Sequence, residues 1–298
     1  MLKKAALIFC LSLVCNAQRG FAQDNMRQIK AIEDSLMITA DSMANAFLPE
    51  IRQIHTELFV KQLVRALKIA GSYNYRFDSL ATRINIIAPD DNSFRMFNWS
   101  VANTEVTRRY YGAIQMAGEQ LKLYPLVDYT AQLGKGAEDS VLQGGKWYGA
   151  LYYRIMTMER DGEKVYTMFG LNASSPISNK KVLDPMFFTP QGVVFGAPIF
   201  NIRSQNNPQE RIKRFIIEYK KSVQVSMNLD KEMNAIYFDR LESEVNDPNR
   251  KYTYVPTGQY DGFRWVDGYW NFVHDLIPLD LLKDGEAPAP VPAKLREQ

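Results

Sequence analysis

Apolar residues at helical spacing dominate the stretch between Met26 and Ala70, where they recur every three to four positions. This spacing is the pattern of amphipathic helices. Pro49 suits the first turn of a helix, and Gly71 supplies a stop. The pattern therefore predicts two helices with a break near Leu48. They could pack as an antiparallel hairpin or continue as one kinked helix.

After Gly71 the period changes to two, because apolar and polar residues alternate, and this alternation indicates strands. The clearest segment, residues 214–227, predicts one strand with a buried face and a wet face. Residues 228–232 then predict a turn into a second strand at 235–241.

A second hairpin is predicted at 147–158 and 164–171, with its turn at 160–162. Weaker strand patterns occur at 83–88, 94–101, 109–116, 123–129, 193–199, 263–266 and 269–273. The predicted fold class is α+β, with an N-terminal helical pair followed by a large antiparallel β-meander. A sandwich, a barrel and a small propeller remain open as alternatives.

The N-terminal residues 1–22 have the pattern of a signal peptide. Lys3 and Lys4 precede an apolar stretch at 5–14, which is too short to span a bilayer, and small residues follow at 15–17. Cleavage is expected before Gln18 or before Gln23. The sequence thus predicts an exported protein, periplasmic or extracellular. Both cysteines lie in the signal, so the mature chain would have no disulfide.

The predicted organisation places a helical segment at 23–71, an antiparallel β domain at 72–282 and a disordered Pro/Ala-rich tail at 283–298. No transmembrane segment is predicted in the mature chain. The whole chain carries 36 Lys and Arg against 33 Asp and Glu, and loss of the signal leaves 33 of each. A near-neutral protein without a basic stripe is not expected to bind nucleic acid.

Candidate catalytic residues are few. His55 and His274 are the only histidines, so an imidazole-based zinc site is excluded, and no metal or cofactor is predicted. His274, Asp275 and a serine could be assembled as a triad, but the chain has no Gly-x-Ser-x-Gly elbow. A surface or hydrogen-bonded histidine is the preferred interpretation. The glycine–lysine cluster at 134–136 lacks the spacing of a phosphate-binding loop and predicts an ordinary loop.

Carboxylates offer a second route to catalysis, because glycan hydrolysis needs only two of them. Asp90 and Asp91 lie in a predicted turn, and Asp261 and Asp267 flank the aromatic segment 263–265. Asp side chains bond their own backbone in tight turns, and this turn chemistry explains both sets. No catalytic residue is assigned.

Aromatic residues, at 12% of the chain, are the excess that could carry function. Alternation from Trp147 places Tyr148, Tyr152 and Arg154 together on one face of a strand. If exposed, this face could stack on sugars or anchor a partner protein, and Trp265 and Trp270 are further candidates. The alternative is that a second sheet or the N-terminal helices cover the face. The helices themselves could be a lid on the β domain or a docking surface.

Much of the last half of the chain resembles secreted proteins common in Bacteroidota. The resemblance rests on residues 146–200, including KWYGALYYRIM and GVVFGAPIF, on 213–243 and on TGQYDGFRWVDGYW. It implies an envelope location but no activity and no catalytic residues. Where that family often has Trp-Asp-Gly, this chain has Leu171, Asn172 and Ala173.

The function expected from these observations is that of an exported envelope protein that binds a protein or a glycan without catalysis. The alternative is a carboxylate-dependent hydrolase acting on envelope glycans. The absence of a recognisable catalytic constellation favours the binding protein.

Overall fold

The computed structural model describes residues 2–104, 107–202 and 211–277, with side chains of the first helix described from residue 23 onward. The helices are α1 (Leu2–Asn45), α2 (Pro49–Leu67) and the short α3 (Thr130–Leu133). Short 3₁₀ helices occur at Ser72–Asn74, Leu80–Thr82, Gly134–Asp139 and Lys251–Thr253. The strands are β1 (Asn85–Ile87), β2 (Phe94–Ala102), β3 (Arg108–Met116), β4 (Leu123–Asp128), β5 (Lys146–Trp147), β6 (Leu151–Arg160), β7 (Glu163–Asn172), β8 (Ser178–Thr189), β9 (Gly192–Phe195), β10 (Phe200–Asn201), β11 (Arg211–Ile212), β12 (Phe215–Lys220), β13 (Met227–Asp230), β14 (Ala235–Ser243), β15 (Tyr254–Val266) and β16 (Tyr269–Ile277).

The two long helices form an antiparallel hairpin. Leu48 is the extended N-cap of α2 and Pro49 its first residue, which confirms the predicted break. The side-chain amide of Asn25 donates to the carbonyl of Ala70 at 3.2 Å, so the early part of α1 lies beside the end of α2. This contact excludes one kinked helix. No helix in the described part of the chain is long and apolar enough to cross a membrane.

The strands in the described ranges form three open sheets. The order is β1-β2-β3-β4-β5 in the first sheet, β12-β8-β7-β6 with β9 beside β8 in the second, and β11-β10-β16-β15-β14-β13 in the third. Neighbours are antiparallel except β4–β5 and β10–β16. The structure confirms the α+β class with an antiparallel, sandwich-like β region.

The helices and sheets stack in four layers around three cores. The helical hairpin packs on the first sheet through Phe59, Leu63 and Trp99. The opposite face of the first sheet packs on the second sheet, and the second sheet in turn packs on the third. The second sheet is therefore covered on both faces, which explains why β7 contains six consecutive buried residues instead of an alternating pattern.

The predicted single strand at 214–227 is wrong. β12 ends at Lys220, where Val223 N–H bonds back to the Lys220 carbonyl, and β13 begins at Met227 in the third sheet. The alternation crosses this break because Phe215 and Met227 each face inward in the same core. The following turn also lies later than predicted, since residues 228–230 still belong to β13. By contrast, the β6–β7 hairpin is confirmed, with Asp161 and Gly162 in its turn at φ 53° and 77°.

Strand β8 was not predicted, because it begins with four polar residues and contains Pro185, which interrupts the pattern expected of a central strand. The strand lies between β7 on one side and both β12 and β9 on the other. Leu183 pairs with Phe215 of β12, and Met186 pairs with Phe195 of β9. Pro185 therefore lies at the junction between two partners, where a missing N–H interrupts neither ladder.

Candidate functional site

A cleft of about 570 Å³ opens at one edge of the second sheet and is called the edge cleft here. Its walls come from residues 130–138, from β8 and β12, and from residues 248–252. Tyr148 forms part of its floor, although only 1% of that residue is exposed. Tyr252 stands at the rim and is 39% exposed. The volume of the cleft lies within the range of small-molecule sites, and its lining is more polar than that of most such sites.

Charged side chains of both signs line the edge cleft. Glu218 accepts a hydrogen bond from the Ser178 hydroxyl at 2.5 Å and lies 3.5 Å from the Lys180 ammonium. Glu138 accepts the backbone N–H of Ile216 at 3.2 Å. Lys135 and Lys251 also line the cleft, and neither has an ion-pair partner among the residues that the structure describes. The cleft therefore combines fixed acceptors with two available cations.

A buried ion pair supports the floor of the cleft. Arg214 Nε lies 2.8 Å from Asp184 Oδ1, and both side chains are fully buried. The Tyr152 hydroxyl donates to Asp184 Oδ2 at 2.8 Å, and the Arg214 guanidinium lies 5.4 Å from the centre of the Tyr148 ring. Burial alone would lower the pKa of Arg214, but the facing Asp184 carboxylate raises it, so the guanidinium stays charged.

Arg214 also connects the ion pair to the wall of the cleft. Its Nη1 donates to the carbonyl of Ala137 at 2.5 Å, and Ala137 itself lines the cleft. The backbone N–H groups of Lys213 and Arg214 both donate to the Glu138 carbonyl. These bonds fix residues 137 and 138 against the second sheet and hold the Glu138 side chain in place.

The structure does not place the predicted aromatic face at the surface. Tyr148, Tyr152 and Trp270 are almost fully buried, so none of them offers the exposed ring that the binding hypothesis requires. Tyr148 and Tyr152 lie between the first and second sheets, which is the alternative in which a second sheet covers the face. The Trp270 indole donates to the Thr167 hydroxyl at 2.9 Å inside the other core. Arg154 and Trp265 are half-buried and outside the edge cleft.

Three residues that were considered for catalysis do meet, around Arg240. Arg240 Nη2 lies 2.5 Å from Asp261 and 2.7 Å from Asp275, and His274 Nδ1 lies 3.0 Å from Asp261. Burial raises the pKa of Asp261, but hydrogen bonds from Arg240 and from the Asp275 N–H outweigh it, and the pKa is lowered. No serine hydroxyl in the described ranges contacts this cluster, so it lacks the nucleophile of a triad.

Asp261 and Asp267 do not form a catalytic pair. Asp267 lies in the β15–β16 turn at φ 51°, six residues along the strand from Asp261. At the rise of an extended chain this is about 20 Å, beyond the separation used by glycosidases. The structure therefore does not support Asp261 and Asp267 as the carboxylate pair of the alternative hydrolase hypothesis.

Asp91 confirms the turn interpretation of the other acidic pair. Its Oδ1 accepts hydrogen bonds from the backbone N–H and the hydroxyl of Ser93. Its Oδ2 accepts hydrogen bonds from the Lys164 ammonium at 2.7 Å and from the Tyr166 hydroxyl at 3.2 Å. Burial raises the pKa of Asp91, but the hydrogen bonds from Lys164 and Ser93 outweigh it and lower the pKa to about 2. Asp91 therefore ties the turn before β2 to strand β7.

We expect Asp91→Asn to lower the free energy of unfolding at pH 7 by about 1–2 kcal/mol. The folded pKa lies below the unfolded value, so the contribution of Asp91 is complete above about pH 4 and disappears as the pH falls towards 2. Urea unfolding of the parent protein and of Asp91→Asn between pH 7 and pH 2.5 measures how their stability difference changes with pH. A stability difference that stays constant down to pH 2.5 would contradict the assignment.

Apart from Tyr148, the residues that line the edge cleft were not selected as candidates from the sequence. Lys135 belongs to the glycine–lysine cluster that predicted an ordinary loop, and Glu218 and Lys180 are typical of a wet strand face. The approach of residues 248–252 to β12 is a long-range contact without a local signal. In residues 2–104, 107–202 and 211–277 no group of three or more His, Cys, Asp or Glu side chains could hold a metal ion.

The fold and the edge cleft define an α+β protein with three stacked sheets and a polar surface site. Comparison with protein-family models, curated proteins and solved structures gives no match for this chain. The case for a function therefore rests on the geometry of the site.

Proposed function

We propose that this chain is an exported envelope protein that binds an acidic oligosaccharide in the edge cleft without catalysis. The observation that carries this proposal is the pair of cations, Lys135 and Lys251, in a cleft that also holds fixed acceptors and tyrosines. Export is supported by the signal-like residues 1–22. The resemblance to secreted Bacteroidota proteins supports the envelope as its location.

The neutral part of the ligand is inferred from the acceptors and the aromatic rings. Sugars present many hydroxyl groups around apolar ring faces, and they bind where hydrogen-bonding side chains surround an aromatic ring. Tyr252 offers an exposed ring at the rim, and Glu138 and Glu218 offer carboxylates held by other groups of the protein. A volume of about 570 Å³ suits a ligand of two or three sugar units.

The acidic part of the ligand is inferred from the charges. Three lysines and two glutamates line the edge cleft, and the Lys180–Glu218 contact uses one of each. Lys135 belongs to the segment after α3 and Lys251 to the segment before β15, so the two cations reach the cleft from different parts of the chain. A ligand with a carboxylate would be held by both, through charge-assisted hydrogen bonds.

The hydrolase remains the second candidate because Glu138 and Glu218 line the same cleft. Both carboxylates already accept hydrogen bonds from the protein, Glu138 from Ile216 N–H and Glu218 from Ser178. These bonds suit positioning of sugar hydroxyls, whereas glycosidases require one carboxyl group that acts as an acid. Binding is therefore the function that the geometry favours.

The test uses the protein recovered from the envelope of its host, whose N-terminal peptide should begin at Gln18 or Gln23. Isothermal titration calorimetry compares a trisaccharide of a uronic acid with a neutral trisaccharide of the same length. We expect the acidic sugar to bind more tightly, and Lys135→Ala and Lys251→Ala each to weaken its binding about tenfold. Lys61→Ala, which removes an exposed lysine on α2 outside the cleft, is the matched control.

Equal binding of the neutral sugar, or unchanged affinity in both lysine variants, would contradict the proposed cleft. Release of reducing ends during incubation, abolished by Glu218→Gln, would establish the hydrolase instead. An unprocessed N-terminus, or recovery of the protein from the cytoplasm, would contradict export while leaving the binding result to be judged separately.

A further inference from the structure

A second polar constellation lies around Tyr269, where the end of β6 in the second sheet meets β11 and β16 of the third sheet. Arg160 Nη2 and Arg211 Nη1 both lie within hydrogen-bond distance of the Tyr269 hydroxyl, at 3.0 and 3.1 Å. Both guanidinium groups also contact the ring, with their central carbons 4.6 and 4.1 Å from its centroid. Three chain segments thus converge on one phenol: the end of β6, the start of β11 and the start of β16.

The local backbone leaves room for this arrangement. Tyr269 follows the two-residue turn of Asp267 and Gly268, both at positive φ. A Cβ atom at Gly268 would lie 2.9 Å from Cγ of Arg160, so the glycine allows the arginine to lie against the turn. Arg211 is oriented on the other side by Asn201, whose side-chain oxygen accepts from Nε at 2.9 Å. Both cations are therefore held in place before any ligand arrives.

The unused donors point to an anionic ligand. The Tyr269 oxygen accepts from both arginines, and its own hydrogen has no acceptor among the described residues. Each arginine also keeps one terminal nitrogen without an acceptor in the described part of the chain. Among the residues that the structure describes, Arg160 has one carboxylate neighbour, Asp161 at 3.4 Å, and that side chain is 85% exposed. Two guanidiniums and one hydroxyl thus present free N–H and O–H groups at one place.

We propose that Arg160, Arg211 and Tyr269 form a binding site for a tetrahedral oxyanion, a phosphate or sulfate group. Guanidinium groups match such oxyanions through paired N–H donors. A planar carboxylate has two oxygens for the three converging groups, whereas a tetrahedral anion has at least three. The bound charge would also offset the repulsion between the two cations.

This site is independent of the edge cleft. Arg160 lies at the far end of β6, eight residues from Tyr152, whose hydroxyl contacts the ion pair behind the cleft. Along an extended strand this is about 25 Å. A ligand of three sugar units could not span this distance, so failure of either site leaves the other proposal intact.

The test titrates the whole protein with inorganic phosphate, sulfate, methyl phosphate and acetate at constant ionic strength. The signals to follow are the arginine Nε–Hε resonances and the backbone amides of residues 268–270 in ¹H–¹⁵N spectra. We expect saturable shifts with phosphate and sulfate, at least about fivefold weaker binding in Tyr269→Phe, and loss of saturation in Arg211→Gln. Tyr269→Phe keeps the ring between the cations, so its fold should be preserved.

Arg76→Gln is the matched control. Like Arg160, Arg76 pairs with an exposed aspartate close to it in the chain, with Nε 3.1 Å from Asp78 Oδ1. Arg76 lies in the segment that joins α2 to the first sheet, outside the proposed site. The affinity of this variant for phosphate should be unchanged. Tighter binding of methyl phosphate than of inorganic phosphate would indicate an ester, such as a phosphorylated sugar, and equal binding would indicate the free ion. Shifts without saturation, unchanged affinity in Tyr269→Phe, or acetate binding as tight as phosphate would overturn the proposal.

Discussion

Asp184→Asn is expected to lower the free energy of unfolding by about 3–5 kcal/mol, because it leaves the buried Arg214 cation without its counterion. Burial of both partners is complete, so water cannot replace the lost carboxylate. The terminal nitrogen Nη2 of Arg214 is already buried without an acceptor among the described residues, and the other acceptor of the guanidinium, the Ala137 carbonyl, carries no charge. Urea unfolding followed by tryptophan fluorescence measures the loss.

A double substitution separates the two contributions. Asp184→Leu combined with Arg214→Met removes both charges and fills the space with apolar atoms, and it is expected to cost less than Asp184→Asn alone. Asp139→Asn, at an exposed position beside the cleft wall, is the surface control and should stay within about 0.5 kcal/mol of the parent protein. A loss below about 1 kcal/mol in Asp184→Asn would show that the ion pair does not support the core.

The same pair links stability to the proposed ligand site. Arg214 holds the carbonyl of Ala137 and lies over the ring of Tyr148, so its orientation fixes one wall and the floor of the edge cleft. Asp184→Asn should therefore weaken sugar binding under conditions in which the variant is still folded. The interior of the second sheet in this way determines the geometry of a surface site.

Local patterns predicted the elements that depend on neighbouring residues. The helix break at Leu48, the β6–β7 turn and the strand pair around Asp267 and Gly268 each have their own turn chemistry. Assignment of strands to sheets depends on contacts between distant residues, and for this reason 214–227 was predicted as one strand. The four-layer stack likewise has no local signal.

The buried ionic residues left a weak signal in the sequence. Asp184 stands in a run of apolar residues, VLDPMFF, where a carboxylate must be paired if the strand is buried. Its partner Arg214 is thirty residues later, and nothing local relates the two. The same holds for the edge cleft, whose lysines come from segments more than one hundred residues apart. Charge type was visible in the sequence, but proximity was not.

Arg95 attaches the helical hairpin to the β layers, although no carboxylate faces it in the described part of the chain. Its Nε donates to Gln115 Oε1 at 2.9 Å, and its two terminal nitrogens donate to the carbonyls of Tyr75 and Ser72 at 2.5 and 2.7 Å. The guanidinium also lies over the rings of Phe77 and Phe97. Burial lowers the pKa of Arg95 to about 10, so it remains charged at neutral pH.

We expect Arg95→Met to lower the free energy of unfolding by about 3 kcal/mol, because two buried acceptors and one partly buried acceptor lose their donor. Arg95→Lys keeps the charge but cannot reach all three acceptors. Its free energy of unfolding should therefore lie between those of the parent protein and Arg95→Met. Urea unfolding gives the global effect. Hydrogen exchange should show faster exchange in the connector at 72–77 before the rest of the chain.

The connector at 72–77 is also attached to helix α1, and this second attachment allows the contribution of Arg95 to be distinguished. Glu33 of α1 accepts the Tyr75 hydroxyl at 2.6 Å and the Leu80 N–H at 2.9 Å. If Arg95 is the main anchor, Arg95→Met should increase exchange at 72–77 more than at residue 80, where Glu33 still holds the chain. Arg83→Met, which removes a half-exposed arginine 3.3 Å from Asp41, is the control and should change neither quantity appreciably. An Arg95→Met protein within about 1 kcal/mol of the parent would mean that the helical packing, and not this arginine, holds the layers together.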